Sequence, residues 1–584
     1  MACLAGSLTA MTHDRPHDIA LAILAGFDKH YRLFRAISAS AKDRFDAGDW
    51  AAVRRAQRER IDMYDLRVRE AVAILRDFPH VREESIWPAI KHAYVGLLLE
   101  HQQPELAETF FNSVAARLLD RTYYTNQHIF WRPAVSTEHI ESLRPTYKVY
   151  YPAEHGLRAT LKTLFVDTQL LSPWEDLERD LHALVHAVGE LFPRPRSTTA
   201  SFQVHALSSL FYRNRSAYLV GRVDTGTEEI PYAVPIRKNS RGELYLDGAL
   251  LGREQMGTLF SLARAYFMVD MEVPASFVAF LKSLFPGKPA AELYIALGLQ
   301  KQGKTEFYRD LFEHLRHSSD RFVVAPGVKG MVMVVFTLPS FPYVFKVIRD
   351  HFEPPKDVDR KKVMEQYLVV KYHDRVGRLA DALEYSQVAL PLTRIDPALM
   401  EELERLVPSQ LQRDGDKLVL QHVYIERRMV PLDVWLQGAD EAKLKQGLFE
   451  FGQAVRELAG ANIFPGDLLL KNFGVTRSGR VVFYDYDELA TVTECSFRRM
   501  PTPRDDEETM MSEPWFFVGA KDIFPEELPT FLFNTEKART LFLSMHGDLA
   551  TPEFWQAKQE QLNGGVEDDV MPYPEARRFA HSHG

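Results

Sequence analysis

The chain has 584 residues, a net charge of −9, 46% hydrophobic and 26% charged residues, a length and balance that predict two or more folded globular domains rather than disorder. The negative charge excludes a general attraction to nucleic acid or to anionic membrane. Two cysteines, Cys3 and Cys495, give neither a disulfide framework nor a zinc-ligand pair, as expected of a protein of the reducing cytosol.

Residues Met1–Thr12 lack the basic and long apolar regions of a signal peptide and read as a loose terminus. From about Phe27 to Phe192 the spacing is helical. Ile61, Tyr64, Val68, Val72 and Leu75 share one helix face, and Trp87, Ile90, Ala93, Tyr94 and Leu97 share another. Between Leu219 and Leu251 short β-like runs alternate with turn-forming Asp-Thr-Gly and Asn-Ser-Arg-Gly stretches, which predicts a small antiparallel insert. Helical spacing resumes from Glu254 to Leu315. A boundary is expected near Ser318-Ser-Asp320, dividing the chain into a mostly helical part, 1–318, and a second part, 319–584.

The second part opens with three β-branched, aromatic-rich runs, Arg321–Val324, Gly330–Phe336 and Tyr343–Ile348, and predicts an antiparallel sheet. The uncharged run Gly330–Phe345 is broken by Pro339 and Pro342 and falls short of the roughly 20 residues of a membrane span. A helix is expected at Lys361–Tyr372 and a further strand at Lys417–Tyr424. Mostly helix follows from Asp440 on, including the face Leu444, Leu448, Phe451, Val455, Leu458. The fold class is therefore α+β: a small sheet lobe followed by a helical lobe, in the manner of a protein kinase, behind a mostly helical domain with a small β insert.

Spacing within that second part points to chemistry. Ala325, Pro326, Gly327, Val328, Lys329, Gly330 and Met331 join the first two strands, and glycines there let backbone amides approach phosphate oxygens. Strand alternation puts Val344, Lys346 and Ile348 on one face and Tyr343, Phe345 and Val347 on the other. Glu365, on the next helix, is the expected partner that would aim Lys346 at the α- and β-phosphates of ATP. Asp467 and Asn472 repeat the Asp-x-x-x-x-Asn spacing of a kinase catalytic loop, the first as base, the second as metal ligand. Asp485 ends the apolar run Val481-Val-Phe-Tyr-Asp485, where a Mg²⁺ ion (or Mn²⁺) bridging phosphates needs hard oxygen ligands, and Asp487 adds a second carboxylate. Leu418–Ile425 with Glu426-Arg-Arg-Met429 suits the strand and hinge of an adenine pocket.

Two other patterns compete. Gly298-Leu-Gln-Lys-Gln-Gly-Lys-Thr305 matches a phosphate-binding P-loop, and would make the chain a P-loop ATPase using Lys304. Yet the surrounding leucines and Phe307 read as helical faces about a polar turn. His182, His186 and Glu190 follow helical spacing and form one possible metal-binding face, without an evident fourth ligand. A third reading keeps the kinase-like fold without activity, as a nucleotide-binding scaffold; the joint presence of Lys346, Asp467, Asn472 and Asp485 argues against it.

Longer strings carry a resemblance. Ala325–Met331, Leu338–Lys346, Ile425–Pro431, Ala461–Asp467, Lys471–Val475 and Val481–Asp487 resemble isocitrate dehydrogenase kinase/phosphatase, a bifunctional bacterial family, and the length and helical N-terminal half agree. The resemblance implies a cytoplasmic enzyme that uses ATP to phosphorylate a serine of isocitrate dehydrogenase, removes that phosphate in the same kinase-like site, and so sets flux between the citric acid cycle and the glyoxylate bypass. It further implies AMP as an allosteric effector, Lys471 among the ATP-binding residues, and Asp381 as an active-site acid. A homodimer stays open. Relative to ordinary kinases, Pro465-Gly-Asp467 replaces His-Arg-Asp, which removes the arginine that senses a loop phosphate. Asp485-Tyr-Asp487 replaces Asp-Phe-Gly, and the added Asp487 is expected to serve the phosphatase direction, where water attacks. The acidic stretch Asp505–Glu508 is a solvated loop or a partner contact.

Overall fold

The computed structural model describes residues 15–119, 127–191, 202–260, 266–327, 329–352, 359–373, 376–501, 516–566 and 568–579. Residues 1–12, Val328 and the 505–508 stretch lie outside them.

Four helices, Arg15–Ala39, Trp50–Leu75, Trp87–Leu98 and Pro104–Leu118, pack as the apolar spacing requires: Val68, Val72, Leu75, Trp87, Ile90 and Tyr94 are all buried in one core. The β insert is larger than the expected Leu219–Leu251 span. It is a seven-stranded antiparallel sheet that begins at Tyr147–Tyr150 and includes Gln203–Leu207, which pairs with that first strand across some sixty residues of sequence. Pairing at such separation leaves no local signal. Both faces of the sheet are covered: Tyr218, Val220 and Ala233 face the helical core, while Leu219 and Val234 face Leu164, Leu181 and Leu184 on two further helices.

Helix Gln300–His317 ends this half, and strand Val323–Val324 opens the next sheet. That sheet has six antiparallel strands, in the order Ala382–Pro391, Lys417–Arg427, Tyr343–Ile348, Met333–Thr337, Val323–Val324, with Leu411–Asp414 against Lys417–Arg427. Two of its strands, Ala382–Pro391 and Leu411–Asp414, carry no expectation from the sequence. The alternation on Tyr343–Ile348 is as expected. Tyr343, Phe345 and Val347 pack with Phe307, Leu311 and Leu315 of the Gln300–His317 helix, whereas Ile348 faces the core shared with the helical lobe. One sheet thus separates two cores, and the last helix of the N-terminal half closes its back.

The helical lobe is organised on Glu441–Gly460, whose N-cap Asp440 accepts the Lys443 amide at 2.8 Å and whose Leu448, Phe451, Val455 and Leu458 are buried. Glu536–His546 and Pro552–Asn563 pack on it, with Trp555 wholly enclosed. From there the chain returns to the N-terminal half: Tyr573 lies in the first core, and its hydroxyl donates to the buried Asp247 at 2.6 Å. Among the described residues no helix is long and apolar enough to cross a membrane.

The N-terminal core encloses several ionisable groups, Glu105 among them. Glu105 is enclosed and accepts the Tyr294 hydroxyl at 3.5 Å; burial, above all, pushes its carboxyl up to about 8. The native state therefore binds a proton that the unfolded chain gives up above pH 4.5, and stability falls as pH rises from there towards 8. Urea unfolding of the wild type should lose up to about 1.4 kcal/mol per pH unit across that window from this group, and Glu105→Gln should flatten the slope.

Candidate active site

Where the six-stranded sheet meets the helical lobe, residues from both sides are in contact. Lys346 stands on the sheet, its ammonium 2.7 Å from Glu426 Oε2 and donating to the Tyr484 carbonyl at 3.1 Å, with the Tyr484 ring centroid at 5.2 Å. Register explains the pair. Lys346 lies opposite Tyr424, so Glu426 is its diagonal neighbour on the same face. Both side chains are almost fully buried, at 10% and 1% exposure, so each charge needs the other.

This corrects the expected partner. Glu365 lies on helix Arg360–His373 but its side chain is 61% exposed and sits 3.8 Å from Lys361, one turn back. It lines a cavity of about 290 Å³ with Gln300, Lys304, Met364 and Tyr424, between the N-terminal half and the sheet. The physical reason is strand register: an acid already on the sheet reaches the ammonium without any adjustment of the helix. What the helix contributes is Tyr367, stacked on Tyr424 at 3.9 Å, its hydroxyl 3.5 Å from Glu426 Oε1.

Tyr484 links the lysine to the loops below. Its amide donates to the Asn472 carbonyl at 3.1 Å and its hydroxyl to the Lys471 carbonyl. Asn472 is buried, and its side-chain amide donates to the Asp467 carbonyl at 2.9 Å, which turns its oxygen to the acceptor end. The turn before Asp467 is drawn against the strand following Asp487: Phe464 pairs with Ala490, and the Gly466 amide donates to Glu488 at 2.7 Å. A Cβ on Gly466 would come within 2.2 Å of that carbonyl oxygen, so glycine is required where ordinary kinases carry arginine. Asp381 is buried beside the same segment. Leu379 and Phe483 form a parallel bridge, so the two chains advance together towards Asp381 and Asp485.

The remaining expected residues divide. Strands Val323–Val324 and Met333–Thr337 pair antiparallel, so the Ala325–Met331 stretch joins them as expected, with Gly327 at φ +123°, a conformation only glycine adopts with ease. The Ala325 amide is already used within the hairpin, donating to Val335 at 2.9 Å; Gly330 accepts from Arg349, and Lys329 extends to Glu402 at 2.6 Å. Met331 and the Lys471 side chain are exposed. The P-loop pattern is not a loop: Lys304 and Thr305 lie inside Gln300–His317, behind helix Ala290–Ala296 rather than a strand, and Lys304 donates to the Glu384 carbonyl. His186 faces only Glu190 on an exposed helix face, and His182 adds nothing to it: among the described residues no three His, Cys, Asp or Glu side chains gather as a metal site.

Asp485 and Asp487 follow strand Val481–Phe483, and their carboxylates are of the hard oxygen type that Mg²⁺ takes. Their field reaches the tyrosines around them. Burial first, then Asp485, Asp433 and Glu426, hold the Tyr484 hydroxyl protonated far above its ordinary range, and burial with Glu426, Asp487 and Asp485 does the same to Tyr367.

The sequence places Glu426 in a hinge and Tyr484 in an apolar run; the structure puts Glu426 inside strand Lys417–Arg427 and sets both residues against Lys346. Glu426 is an acid inside an apolar strand, a signal that becomes specific only with the register known. Tyr484 acts largely through its backbone, which no side-chain pattern reveals.

A buried lysine–glutamate pair on an antiparallel sheet, facing an Asp-x-x-x-x-Asn loop and a strand that ends in carboxylates, defines a phosphoryl-transfer fold of the protein-kinase class. Comparison with known proteins narrows the class. Residues 320–575 match the isocitrate dehydrogenase kinase/phosphatase (AceK) kinase domain and residues 20–319 the regulatory domain of the same family. The chain is 53% identical over 568 residues to isocitrate dehydrogenase kinase/phosphatase of Burkholderia thailandensis, spanning 96% of this chain and 94% of that one; relatives from Burkholderia mallei and Burkholderia pseudomallei match to the same extent. The chain belongs to the isocitrate dehydrogenase kinase/phosphatase family.

Removing Glu426 leaves a buried cation uncompensated. Glu426→Ala should cost about 3–5 kcal/mol in urea unfolding, whereas Glu365→Ala should stay within about 0.5 kcal/mol of wild type. Equal losses would show that the helix, not the strand, orients Lys346.

Proposed function

We propose that this chain is an ATP-dependent protein serine kinase and phosphoprotein phosphatase acting on isocitrate dehydrogenase, and that both reactions take place where the sheet meets the helical lobe. The observation that carries the reading is the contact of Lys346 with the Tyr484 carbonyl, which joins a phosphate-orienting cation to the segment bearing Asn472, Asp467 and Asp485. The names of the relatives supply the protein substrate.

In this reading the Ala325–Met331 turn covers the nucleotide, Lys346 orients its phosphates, and Lys471 approaches from the loop. Asp467 positions the attacking serine hydroxyl and takes its proton. Asn472, Asp485 and Asp487 hold Mg²⁺ (or Mn²⁺), which when bound neutralises charge developing on the phosphate oxygens. Asp381 acts beside them, and Asp487 aligns water in the reverse direction. The division into a regulatory domain, 1–318, and a catalytic domain, 319–584, the cytoplasmic location, and AMP as an effector favouring dephosphorylation extend the same reading. The cavity between Lys304 and Glu365 is where an effector would touch both halves. The physiological output is control of flux between the citric acid cycle and the glyoxylate bypass.

Labelled ATP, Mg²⁺ and isocitrate dehydrogenase test this directly. Phosphate transfer should appear on the substrate, fall by about 10²–10⁴-fold in Asp467→Ala, and persist in Lys304→Ala. Nucleotide binding without transfer would favour an inactive scaffold, and free phosphate without labelled protein a simple ATPase. Asp487→Ala should slow phosphate removal more than phosphate transfer; an equal loss in both directions would overturn its separate role.

A further inference from the structure

Arg378 lies three residues before Asp381, and its guanidinium is enclosed. Nε and Nη2 donate to the two oxygens of Glu457 at 2.6 and 3.1 Å, while Nη1 donates to Glu450 Oε2 at 2.8 Å and to the Val481 carbonyl at 2.9 Å. One side chain therefore joins the Glu441–Gly460 helix to the strand that leads into Asp485. Its backbone makes the adjoining contacts. The Arg378 carbonyl accepts the Phe483 amide at 2.7 Å, the Ala380 amide donates to the Phe483 carbonyl at 2.9 Å, and the Tyr486 hydroxyl donates to the Ala380 carbonyl. Because the Leu379–Phe483 bridge is parallel, Asp381 and Asp485 each follow it by two residues in the same direction.

A second arginine extends this network. Arg480 Nη2 donates to the Val376 carbonyl at 3.1 Å and to Glu457 at 3.4 Å, and Nη1 donates to the Pro572 carbonyl at 3.2 Å. Pro572 precedes Tyr573, which together with Arg578 holds the wholly buried Asp247 of the N-terminal half, the arginine at 2.9 and 3.1 Å. Two guanidiniums and two carboxylates balance in charge, and the network is continuous from Asp247 to the chain bearing both acids.

We propose that Arg378 is a positioning residue that holds Asp381 and Asp485 in register for catalysis, and that Arg480 ties this register to the docking of the C-terminal stretch on the N-terminal half. The inference rests on the function proposed above. An ammonium cannot reproduce the planar fork that serves Glu457, Glu450 and the Val481 carbonyl together, so Arg378→Lys keeps the charge and loses the geometry.

In the full-length, nucleotide-free protein, Arg378→Lys should speed amide exchange at Leu379–Leu383 and Val481–Asp487 while leaving helix Arg15–Ala39 at wild-type rates. In the loaded enzyme it should lower kcat by about 10–100-fold and leave KM for ATP within about two-fold. Glu450→Gln, at the more exposed end of the network, should shift the same readouts less and remain folded if Arg378→Lys does not. Arg480→Lys should additionally speed exchange at Tyr573–Phe579. A lowered thermal midpoint in Arg378→Lys and Glu450→Gln with unchanged local exchange and unchanged kcat would reduce the network to packing and overturn the proposal. A wild-type chain that transfers no phosphate would overturn the function instead, and the exchange measurements would still decide the positioning role.

Discussion

The site depends on a single buried cation and the two acceptors that hold it. Lys346 is almost fully withdrawn from water, and a charge so placed persists only with a partner of opposite sign and good geometry. Glu426 meets that requirement from the neighbouring strand, so the pair is set by sheet register. The ammonium keeps a further donor for the Tyr484 carbonyl, and through it the sheet is tied to the helical lobe. Tyr484 then passes the constraint on through its amide and its hydroxyl to Asn472 and Lys471. With its orienting acid on a strand, the lysine takes no carboxylate from the helix that fills this role in ordinary kinases; that helix reaches the pair only through the Tyr367 hydroxyl on Glu426. Helix Arg360–His373 instead faces a cavity shared with the N-terminal half.

Contacts between the two halves differ in chemistry. Behind the sheet Phe307, Leu311 and Leu315 pack on Phe345, Val347 and Ile425, the burial of each being worth about 1.5–3 kcal/mol, and Glu292 adds polar contacts to Tyr343 and Arg427. At the C-terminal stretch the contact is polar, centred on Asp247 with Tyr573 and Arg578. The sheet lobe is thus tied to the N-terminal half through its back, and the helical lobe through the C-terminal stretch.

Much of the catalytic half was legible because its signals are local. The alternation Tyr343–Ile348 shows directly which side chains share a face with Lys346, and the spacing from Asp467 to Asn472 lies within one turn of chain. The Gln300–His317 helix was legible for the same reason, since its apolar spacing outweighed a formal P-loop match. Glu365 was misread because helix-to-sheet pairing depends on how the helix is rotated, which its own spacing leaves undetermined. Strands Tyr147–Tyr150 and Ala382–Pro391 were missed because their partners lie far along the chain.

The amino-acid sequence by itself determined the family, the α+β class, the lysine, the loop acids and the glycine before Asp467, since each is written in residue type and short spacing. Only the tertiary structure decided that Glu426 holds Lys346, that Tyr484 joins the lobes, and that Arg378 sets the chain beside Asp381. Those choices rest on strand register and backbone hydrogen bonds between segments tens of residues apart. The energy of a buried charge depends on where its partner finally lies.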